Sequence, residues 1–205
     1  MHSIPIYADF HNHTTYSADS TTSPKILVEA LKAHPYVKAA AVTDHDTIAG
    51  LEEVRQLAAP YPDILIILGV EIATRQGDVL VLGAQELPPK PWDVEDIVDF
   101  SRATGCVTIA AHPFRQFGLA DEVADSGVDA IEVYNGGSSG LANKKALDIA
   151  RKLGVPGVSG SDSHQPSDLF SVCTQVQASL NVDEIFDAIR KGHVSALPAG
   201  KLVRF

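Results

Sequence analysis

The chain has 205 residues, of which 45% are hydrophobic and 20% charged, enough apolar material for one compact domain with a buried core. Its formal net charge of −10 at pH 7 argues against a protein held to duplex nucleic acid by phosphate neutralisation. Metal ions in a cleft could reverse the electrostatic potential locally, so the net charge does not exclude an anionic substrate. We expect residues 1–205 to form a single domain that does not stably bind duplex nucleic acid.

The start of the chain lacks the features of a secretory signal. Residues 1–5 contain no basic stretch followed by an apolar run, and no segment approaches the ~18 apolar residues that a membrane span needs. We expect a cytoplasmic protein without membrane contact, of undetermined oligomeric state. Cys106 and Cys173 both lie inside apolar stretches, which favours buried thiols over a disulfide.

Strand and helix patterns alternate along nearly the whole chain. Short apolar runs rich in β-branched residues predict strands at 4–10, 37–43, 64–71, 77–83, 106–111, 129–134, 155–160 and 172–178. Alternation of strands and helices is typical of a parallel sheet with helices packed on its faces. The sequence therefore predicts an α/β fold with a parallel sheet.

Several helix starts are marked between these strands. Ser23 followed by Pro24 predicts an N-cap and a first helical position. The next helix is expected to start at Asp46 or Thr47, and Asp93 is expected to cap the one after it.

Two topologies are compatible with a parallel sheet. An open nucleotide-binding sheet would carry a Gly-x-Gly-x-x-Gly or Walker pattern after a strand, and the sequence contains neither. A closed, TIM-like barrel makes the first and last strands neighbours and joins residues that are about 150 positions apart. We favour a barrel, with fewer than eight complete βα units because 205 residues is short for eight.

Histidines and acidic residues follow the predicted strands. His11 and His13 share a face, as do Asp162 and His164, because alternate residues of a strand point the same way. His45, Glu71 and His112 also follow apolar runs, Asp78 begins one, and Asp19 lies in the polar segment after the first pair. Imidazole and carboxylate groups suit zinc, manganese or iron. The pattern predicts two or three divalent ions at the C-terminal edge of the sheet.

The same residues resemble the motifs of a known family. Six segments are similar, in the same order, to the four-motif pattern of the PHP (polymerase and histidinol phosphatase) superfamily. They are residues 9–14, 17–20, 43–46, 69–71, 111–113 and 161–164. The resemblance covers residues 7–197. It implies a distorted (β/α)7 barrel with its metal site at the C-terminal edge of the strands, and phosphoesterase activity in many members.

Transferred residue by residue, the resemblance implies a set of metal ligands: His11, His13, Asp19, His45, Glu71, His112, Asp162 and His164. Many relatives carry another ligating histidine on the strand after the glutamate, where this chain offers Asp78. An alternative alignment sets Leu80 at that position and removes a ligand. We expect Asp78 to be the ligand, and its role decides whether a third metal site is complete.

The resemblance also implies roles beyond metal binding. Glu71 is expected to bridge two ions and Asp162 to hold the attacking hydroxide, which makes both candidate catalytic residues. Arg115 suits a two-pronged contact with phosphate oxygens. Asn135, together with Glu132, is expected to hydrogen-bond the substrate or a metal-bound histidine.

These observations predict a metal-dependent hydrolase. The leading hypothesis is a phosphoesterase that hydrolyses a small phosphorylated metabolite or nucleotide through a metal-bridging hydroxide. One alternative is a nuclease that trims short oligonucleotide ends. Another is a non-catalytic PHP regulatory module, against which the nearly complete donor set weighs. Barrel hydrolases of C–N or lactone bonds usually recruit a lysine, and no lysine lies at a predicted strand end.

Overall fold

The computed structural model describes residues 4–200. The predictions for a domain over residues 1–205 and for the extreme N-terminus therefore extend beyond the described residues. The elements in chain order are β1 (Ile6–Asp9), α1 (Pro24–Ala33), β2 (Val37–Val42), α2 (Leu51–Ala58), β3 (Leu65–Ala73), β4 (Asp78–Leu82), α3 (Val94–Thr104), β5 (Val107–Ala110), β6 (Ala130–Asn135), α4 (Gly140–Leu153), β7 (Gly157–Gly160), β8 (Cys173–Val176), α5 (Val182–Arg190) and β9 (Val194–Leu197).

The strands form a nearly closed barrel, which confirms the predicted fold class. Within residues 4–200 the strand order is β7-β6-β5-β4-β3-β2-β1-β8-β9. The chain beyond β1 meets the chain beyond β7, where the Asp162 N–H donates to the His11 carbonyl at 2.8 Å and the His13 N–H donates to the Ser163 carbonyl at 3.0 Å. These contacts join the first and last predicted donor pairs.

Each of the eight predicted strands overlaps an observed one, and β9 is an addition. β9 pairs antiparallel with β8. None of its four residues is fully buried. Val194, Ala196 and Leu197 are only partly buried, and a run of four residues without strict alternation is too short to mark a strand in a sequence.

The sheet is not parallel throughout, which corrects the prediction. β4 runs antiparallel to both β3 and β5, and β8 runs antiparallel to β1. Only residues 74–77 connect β3 to β4, whereas a parallel crossover needs about a dozen. The reversal pairs Asp78, the first residue of β4, with Ala73 at the end of β3. Asp78 therefore lies at the edge where the parallel strands end.

The start of α1 is as predicted, whereas that of α2 is not. The Ser23 hydroxyl caps α1 by accepting a backbone N–H of the first turn at 3.3 Å. α2 begins at Leu51, not at Asp46 or Thr47. The Asp46 carboxylate is used elsewhere, since it accepts the Ala73 N–H at 2.9 Å and fastens the segment after β2 to β3.

Asp93 stands at the N-cap position of α3 but its carboxylate makes other contacts. It accepts hydrogen bonds from Arg75 at 2.6 Å and from the Gln76 amide at 3.1 Å. The side-chain oxygen of Gln76 accepts the Val94 N–H at 3.2 Å instead. The cap predicted for Asp93 is thus supplied by a residue of the β3–β4 connection.

Side chains from β1 to β8 converge in the barrel interior, where Ile67, Leu80, Leu82 and Ile109 are fully buried together. α5 packs on this cluster and covers the edge opposite the donor pairs. There the Arg190 guanidinium donates to the carbonyls just before β5, each at 2.9 Å. The other two buried clusters lie under α1 and α2 and under α3 and α4.

Both cysteines are buried free thiols, as predicted. Across residues 4–200, none of the helices combines the length and apolar character required to cross a bilayer. The compartment of the protein stays an expectation from its sequence.

His34 makes the junction between α1 and β2 sensitive to pH. Its Nδ1 accepts the Val37 N–H at 2.8 Å and the Tyr36 N–H at 3.2 Å, which requires a neutral ring. Partial burial, with the nearby Lys38 charge, lowers the pKa of His34 below its usual value. A lowered folded-state pKa means that stability is lost as pH falls from the unfolded-state value of about 6.5 through the lower folded-state pKa.

We expect His34→Asn to remove this dependence, because the amide oxygen can accept the same N–H groups without titrating. Urea denaturation from about pH 7.5 to 5.5 should show the wild type losing free energy of unfolding relative to the variant. His193→Asn, at an exposed histidine, is the matched control. A difference between wild type and His34→Asn that is constant with pH would contradict this explanation.

Candidate metal centre

The side chains predicted as metal ligands gather at one edge of the barrel. They come from the ends of β1, β2, β3, β5 and β7, the start of β4 and the loop before α1: His11, His13, Asp19, His45, Glu71, Asp78, His112, Asp162 and His164. Each has a nitrogen or oxygen atom within 3.9 Å of a donor atom of another member. The fold thus assembles the whole predicted set.

Glu71 lies fully buried at the centre of the cluster. Its Oε2 is 3.1 Å from His11 Nε2, 3.2 Å from His13 Nε2 and 3.1 Å from His45 Nδ1. Its Oε1 is 3.0 Å from His112 Nε2. The two oxygens face different imidazoles, an arrangement suited to a carboxylate that bridges two cations.

Asp162 closes the cluster from the β7 side. Its Oδ1 lies 3.4 Å from His11 Nε2, 3.3 Å from His13 Nε2 and 3.6 Å from His164 Nδ1. Its backbone has a φ of 52°, a left-handed conformation that few residues other than glycine adopt. Strain of this kind persists where the surrounding structure requires it, here to aim the carboxylate inward.

The outer part of the cluster consists of His45, His164 and Asp19. Asp19 Oδ2 lies 3.3 Å from His164 Nε2 and 3.6 Å from His45 Nε2, and Asp19 is the most exposed of these side chains. The rings of His45 and His164 stack on the His13 ring, with centroids 4.3 and 4.2 Å away. The cluster therefore runs from a buried interior to the solvent.

Asp78 lies on the other side of Glu71. Its Oδ2 is 3.9 Å from His112 Nε2, and the three residues could hold an ion. Burial, together with the Glu71 charge, raises the pKa of Asp78 to about 7. A cation between the two carboxylates would favour the charged form. Leu80, the alternative in the alignment, is fully buried in the barrel interior.

The donor atoms are spaced as ligands of divalent cations are. Residues 4–200 contain four such groups of three, and the atoms of each lie within 4.8 Å of one another. Tetrahedral zinc with bonds of about 2.0–2.1 Å separates its ligand atoms by about 3.3 Å. His11 and His13 lie 3.0 Å from each other and 3.1–3.4 Å from the nearest oxygens of Glu71 and Asp162. Nitrogen and oxygen donors fit zinc, manganese or iron.

Opposite charges compensate the burial of this cluster. Burial opposes ionisation of Glu71, yet the neighbouring histidines hold the pKa of its carboxyl well below the usual range. Burial likewise disfavours the charged form of His11, but Glu71, Asp162 and Glu132 raise its pKa well above the usual value. Bound cations would take over this compensation, because a ligating imidazole is neutral.

Glu132 holds two of the histidines from behind, one by its ring and one by its backbone. One carboxylate oxygen lies 3.1 Å from His11 Nδ1, while the other accepts the backbone N–H of His112 at 2.7 Å and the Asn135 side-chain amide at 3.0 Å. A carboxylate that accepts from Nδ1 leaves Nε2 unprotonated and free to bind a metal. Glu132 was expected to contact a histidine, and this contact is present.

A second series of hydrogen bonds orients His13. Its Nδ1 lies 3.2 Å from the Ser17 hydroxyl, which donates to the Asp44 carboxylate at 2.8 Å. Asp44 also accepts the N–H and the hydroxyl of Thr14, each at 2.7 Å. Ser17 matched a family motif without a role, because only the fold reveals that it contacts the His13 ring.

Asp9 and Gly160 complete the floor of the cluster, and the sequence reasoning missed both. Asp9 Oδ1 accepts the His11 N–H at 3.2 Å and the Ser161 N–H at 2.9 Å, and burial raises its pKa to about 7. A Cβ at Gly160 would lie 2.3 Å from both Glu132 Oε1 and His11 Cβ. Asp9 lies within the matched segment 9–14 but received no role, and Gly160 directly precedes the matched segment 161–164.

The predicted substrate-binding residues flank Asp162. The half-exposed Arg115 guanidinium contacts Asp162 Oδ2, and the Asn135 amide donates to the same oxygen at 3.2 Å. A Cβ at Gly137 would lie 2.7 Å from Arg115 Nη1. The absence of a side chain at Gly137 therefore leaves room for Arg115 beside the cluster.

A cavity of about 200 Å³ opens onto the cluster. Its lining comprises Asp19, His45, Asp78, His112, Arg115, Gln116, Phe117, Asp162 and His164. A larger cavity of about 580 Å³ lies between α3 and the short 3-10 segment Ala120–Ala124 and shares none of these residues. We assign the chemistry to the smaller cavity because it contains the candidate ligands.

A barrel with imidazole and carboxylate donors at the C-terminal edge of its strands is the architecture of a metal-dependent hydrolase. Comparison with family models agrees. Residues 9–131 match the PHP domain, and residues 140–194 match the PHP-associated region PHP_C. The chain belongs to the PHP domain family.

Two relatives illustrate its sequence neighbourhood. The uncharacterized protein MJ1587 of Methanocaldococcus jannaschii is 30% identical over 154 residues, which cover 69% of this chain and 89% of that protein. The 5'-3' exoribonuclease of Haemophilus influenzae is 46% identical over 66 residues, 32% of this chain and 23% of that enzyme.

Solved structures share the fold at low sequence identity. A two-domain protein from Bacteroides vulgatus, containing a predicted PHP-like metal-dependent phosphoesterase, has a TM-score of 0.79 at 21% identity over 96% of this chain and 65% of that one. Endonuclease Q, in complex with a 27-mer duplex substrate, has a TM-score of 0.66 at 16% identity over 92% and 57%. This second neighbour gives no support to the expectation that duplex nucleic acid is excluded.

The geometry around Glu132 predicts the effect of Glu132→Gln. Glutamine has one acceptor oxygen, so it cannot accept from both the His11 Nδ1 and the backbone N–H of His112. We expect metal affinity, measured by titration with zinc or manganese, to fall by roughly 10- to 100-fold while the fold is retained. Glu29→Gln, at an exposed site on α1, is the matched control. Unchanged affinity in Glu132→Gln would show that the carboxylate does not orient these histidines.

Proposed function

We propose that this protein is a metal-dependent phosphoesterase that hydrolyses a small phosphorylated metabolite or nucleotide. The observation that carries the proposal is the position of Asp162. One of its carboxylate oxygens faces His11 and His13, and the other faces Arg115 and Asn135. A carboxylate between a cluster of candidate metal ligands and a guanidinium is suited to a reaction at phosphorus.

The proposed ligands are the nine members of the cluster: His11, His13, Asp19, His45, Glu71, Asp78, His112, Asp162 and His164. Divalent ions held there would supply a water of lowered pKa near neutral pH and neutralise charge on the phosphoryl group. Zinc, manganese and iron all suit this donor set. The proposed role of Glu71 is to hold two ions through its two oxygens.

We assign the orientation of the attacking water and of the substrate phosphate to side chains of the protein. Asp162 is proposed to orient the attacking water, because its carboxylate faces the centre of the cluster. Arg115 is half-exposed, so its guanidinium can turn from Asp162 to two phosphate oxygens of an entering substrate. Asn135 keeps Asp162 in place through its amide.

A nuclease that trims short oligonucleotide ends is the second candidate. Its support is the similarity to an exoribonuclease over 66 residues and the fold shared with Endonuclease Q. The net charge of −10 disfavours long polyanionic substrates, which bind largely by phosphate neutralisation. A non-catalytic module is less consistent with the assembled donor set. We therefore rank the small phosphate ester first.

Asp78→Ala tests whether a third ion is bound. We expect one fewer ion per chain, measured by mass spectrometry of metals after dialysis, because the Glu71–His112 side of the cluster loses a donor. Glu95→Ala, at an exposed acidic residue on α3, is the control. Unchanged stoichiometry would remove Asp78 from the ligand set.

The activity itself is tested by a substrate panel with protein loaded with manganese, zinc or iron. We expect turnover of phosphomonoesters or nucleotides, its loss on chelation, and none of simple amides. Arg115→Ala should raise the KM by about 10- to 100-fold with metals retained, because it removes a charge-assisted contact of about 1.5–3 kcal/mol. Arg55→Ala, on the exposed face of α2, is the matched control.

Two results would contradict the proposal. Turnover that survives removal of all metal would exclude the mechanism. A loaded protein that cleaves amides or lactones but no phosphate ester would assign it to a different class of hydrolase. A further result, an Arg115→Ala variant with the kinetics of the wild type, would exclude only Arg115 from phosphate binding.

A further inference from the structure

Phe117 is a large apolar side chain exposed beside the metal cluster. It is 71% exposed and lines the same cavity as His45, Asp78 and His112. Phe114 of the same loop packs on the cluster under α3 and α4, whereas Phe117 belongs to none of the three apolar clusters found in residues 4–200. The ring therefore contributes little to the stability of the fold.

The loop that carries Phe117 is tightly built. The Phe117 carbonyl accepts the Asp78 N–H at 2.7 Å, and the Arg115 carbonyl accepts the Gly118 N–H at 3.0 Å. A Cβ at Gly118 would lie 2.4 Å from the His112 carbonyl oxygen, so only glycine fits this turn. The loop thus fixes the backbone of Phe117 at the cavity rim.

The backbone of Phe117 is itself unfavourable. Its φ of 68° is left-handed, a conformation that is rare for a bulky aromatic residue. Exposed apolar residues are common singly and need no explanation. An exposed aromatic ring in a strained conformation, two residues from Arg115 and at the rim of the metal site, is a more specific feature.

The size of the cavity limits what it can enclose. Its volume of about 200 Å³ is below the roughly 300–1,000 Å³ of pockets that enclose a whole small molecule. A phosphate and part of a sugar would occupy it, and the rest of the substrate would pass the rim. An open aromatic face at that point suits a planar group, since bases stack on exposed rings in a sequence-tolerant way.

We propose that Phe117 stacks on the nucleobase of the substrate, which makes nucleotides or nucleotide ends the substrate class of this site. The inference rests on the proposed phosphoesterase function, because the phosphate is placed at the metal cluster and Arg115. Stacking contributes base-independent affinity, so we expect little preference among the bases.

The decisive comparison is between AMP and ribose 5-phosphate, which differ only by the base. With metal-loaded wild type, we expect the KM for AMP to be about 10- to 100-fold lower. Phe117→Ala should raise the KM for AMP to near that for ribose 5-phosphate and leave kcat and the kinetics of ribose 5-phosphate unchanged. Phe117→Trp should retain the preference. Leu141→Ala, at a residue 66% exposed on α4, is the matched control.

Two outcomes would overturn the inference. One is equal KM values for AMP and ribose 5-phosphate in the wild type. The other is a Phe117→Ala variant, with metal content and thermal stability like the wild type, that affects both substrates alike or neither. The KM for a dinucleotide with a 5'-phosphate is then compared with the KM for AMP, which shows whether the site prefers an oligonucleotide end or a free nucleotide. Whichever of the two is preferred, a KM below that for ribose 5-phosphate supports stacking.

Calorimetry separates this inference from the proposed function. Metal-loaded protein that binds AMP at least ten times more tightly than ribose 5-phosphate, yet hydrolyses neither, would retain the stacking role and refute the phosphoesterase. Protein that hydrolyses ribose 5-phosphate as efficiently as AMP would retain the phosphoesterase and refute the stacking role.

Discussion

The site depends on the closure of the barrel where the chain leaves β1 and β7. Backbone hydrogen bonds join His11 to Asp162 and His13 to Ser163, and the Asp9 carboxylate bridges to the Ser161 N–H. These contacts bring together residues that are far apart in sequence. Without them Asp162 and His164 would be separated from His11 and His13, and the two groups of donors that include a residue from the end of β7 would each lose a member.

Closure also explains how so many ionisable groups can be buried. Burial of a charge is costly unless an opposite charge and hydrogen bonds accompany it. Here Glu71 contacts four imidazoles, and Glu132 contacts His11 from the opposite side. Removing one partner of a buried charge pair typically costs about 3–5 kcal/mol. The fold and the candidate metal centre are therefore energetically coupled, and cations would strengthen the coupling.

The two sides of the site are built differently. The proposed ligands sit mainly at strand ends, whose geometry is held by the sheet and by Glu132, Ser17 and Asp44 behind them. The proposed substrate side is formed by the loop after β5, which carries Arg115 and Phe117. Rigid strand ends preserve metal geometry, whereas loops vary readily between relatives and set specificity. This division is consistent with a family whose members share the fold and differ in substrate.

The sequence by itself determined the family, the barrel and the identity of the candidate ligands, because these depend on local patterns. Apolar runs mark strands, and the spacing of two between donors puts them on one face. Only the tertiary structure decided the reversal of β4, which brings Asp78 rather than Leu80 beside His112. It alone revealed the roles of Asp9, Ser17 and Gly160, which depend on contacts with the side chains and backbone around the metal ligands. Such contacts carry no periodic signal, because they are set by the way in which strand ends and loops pack together in three dimensions.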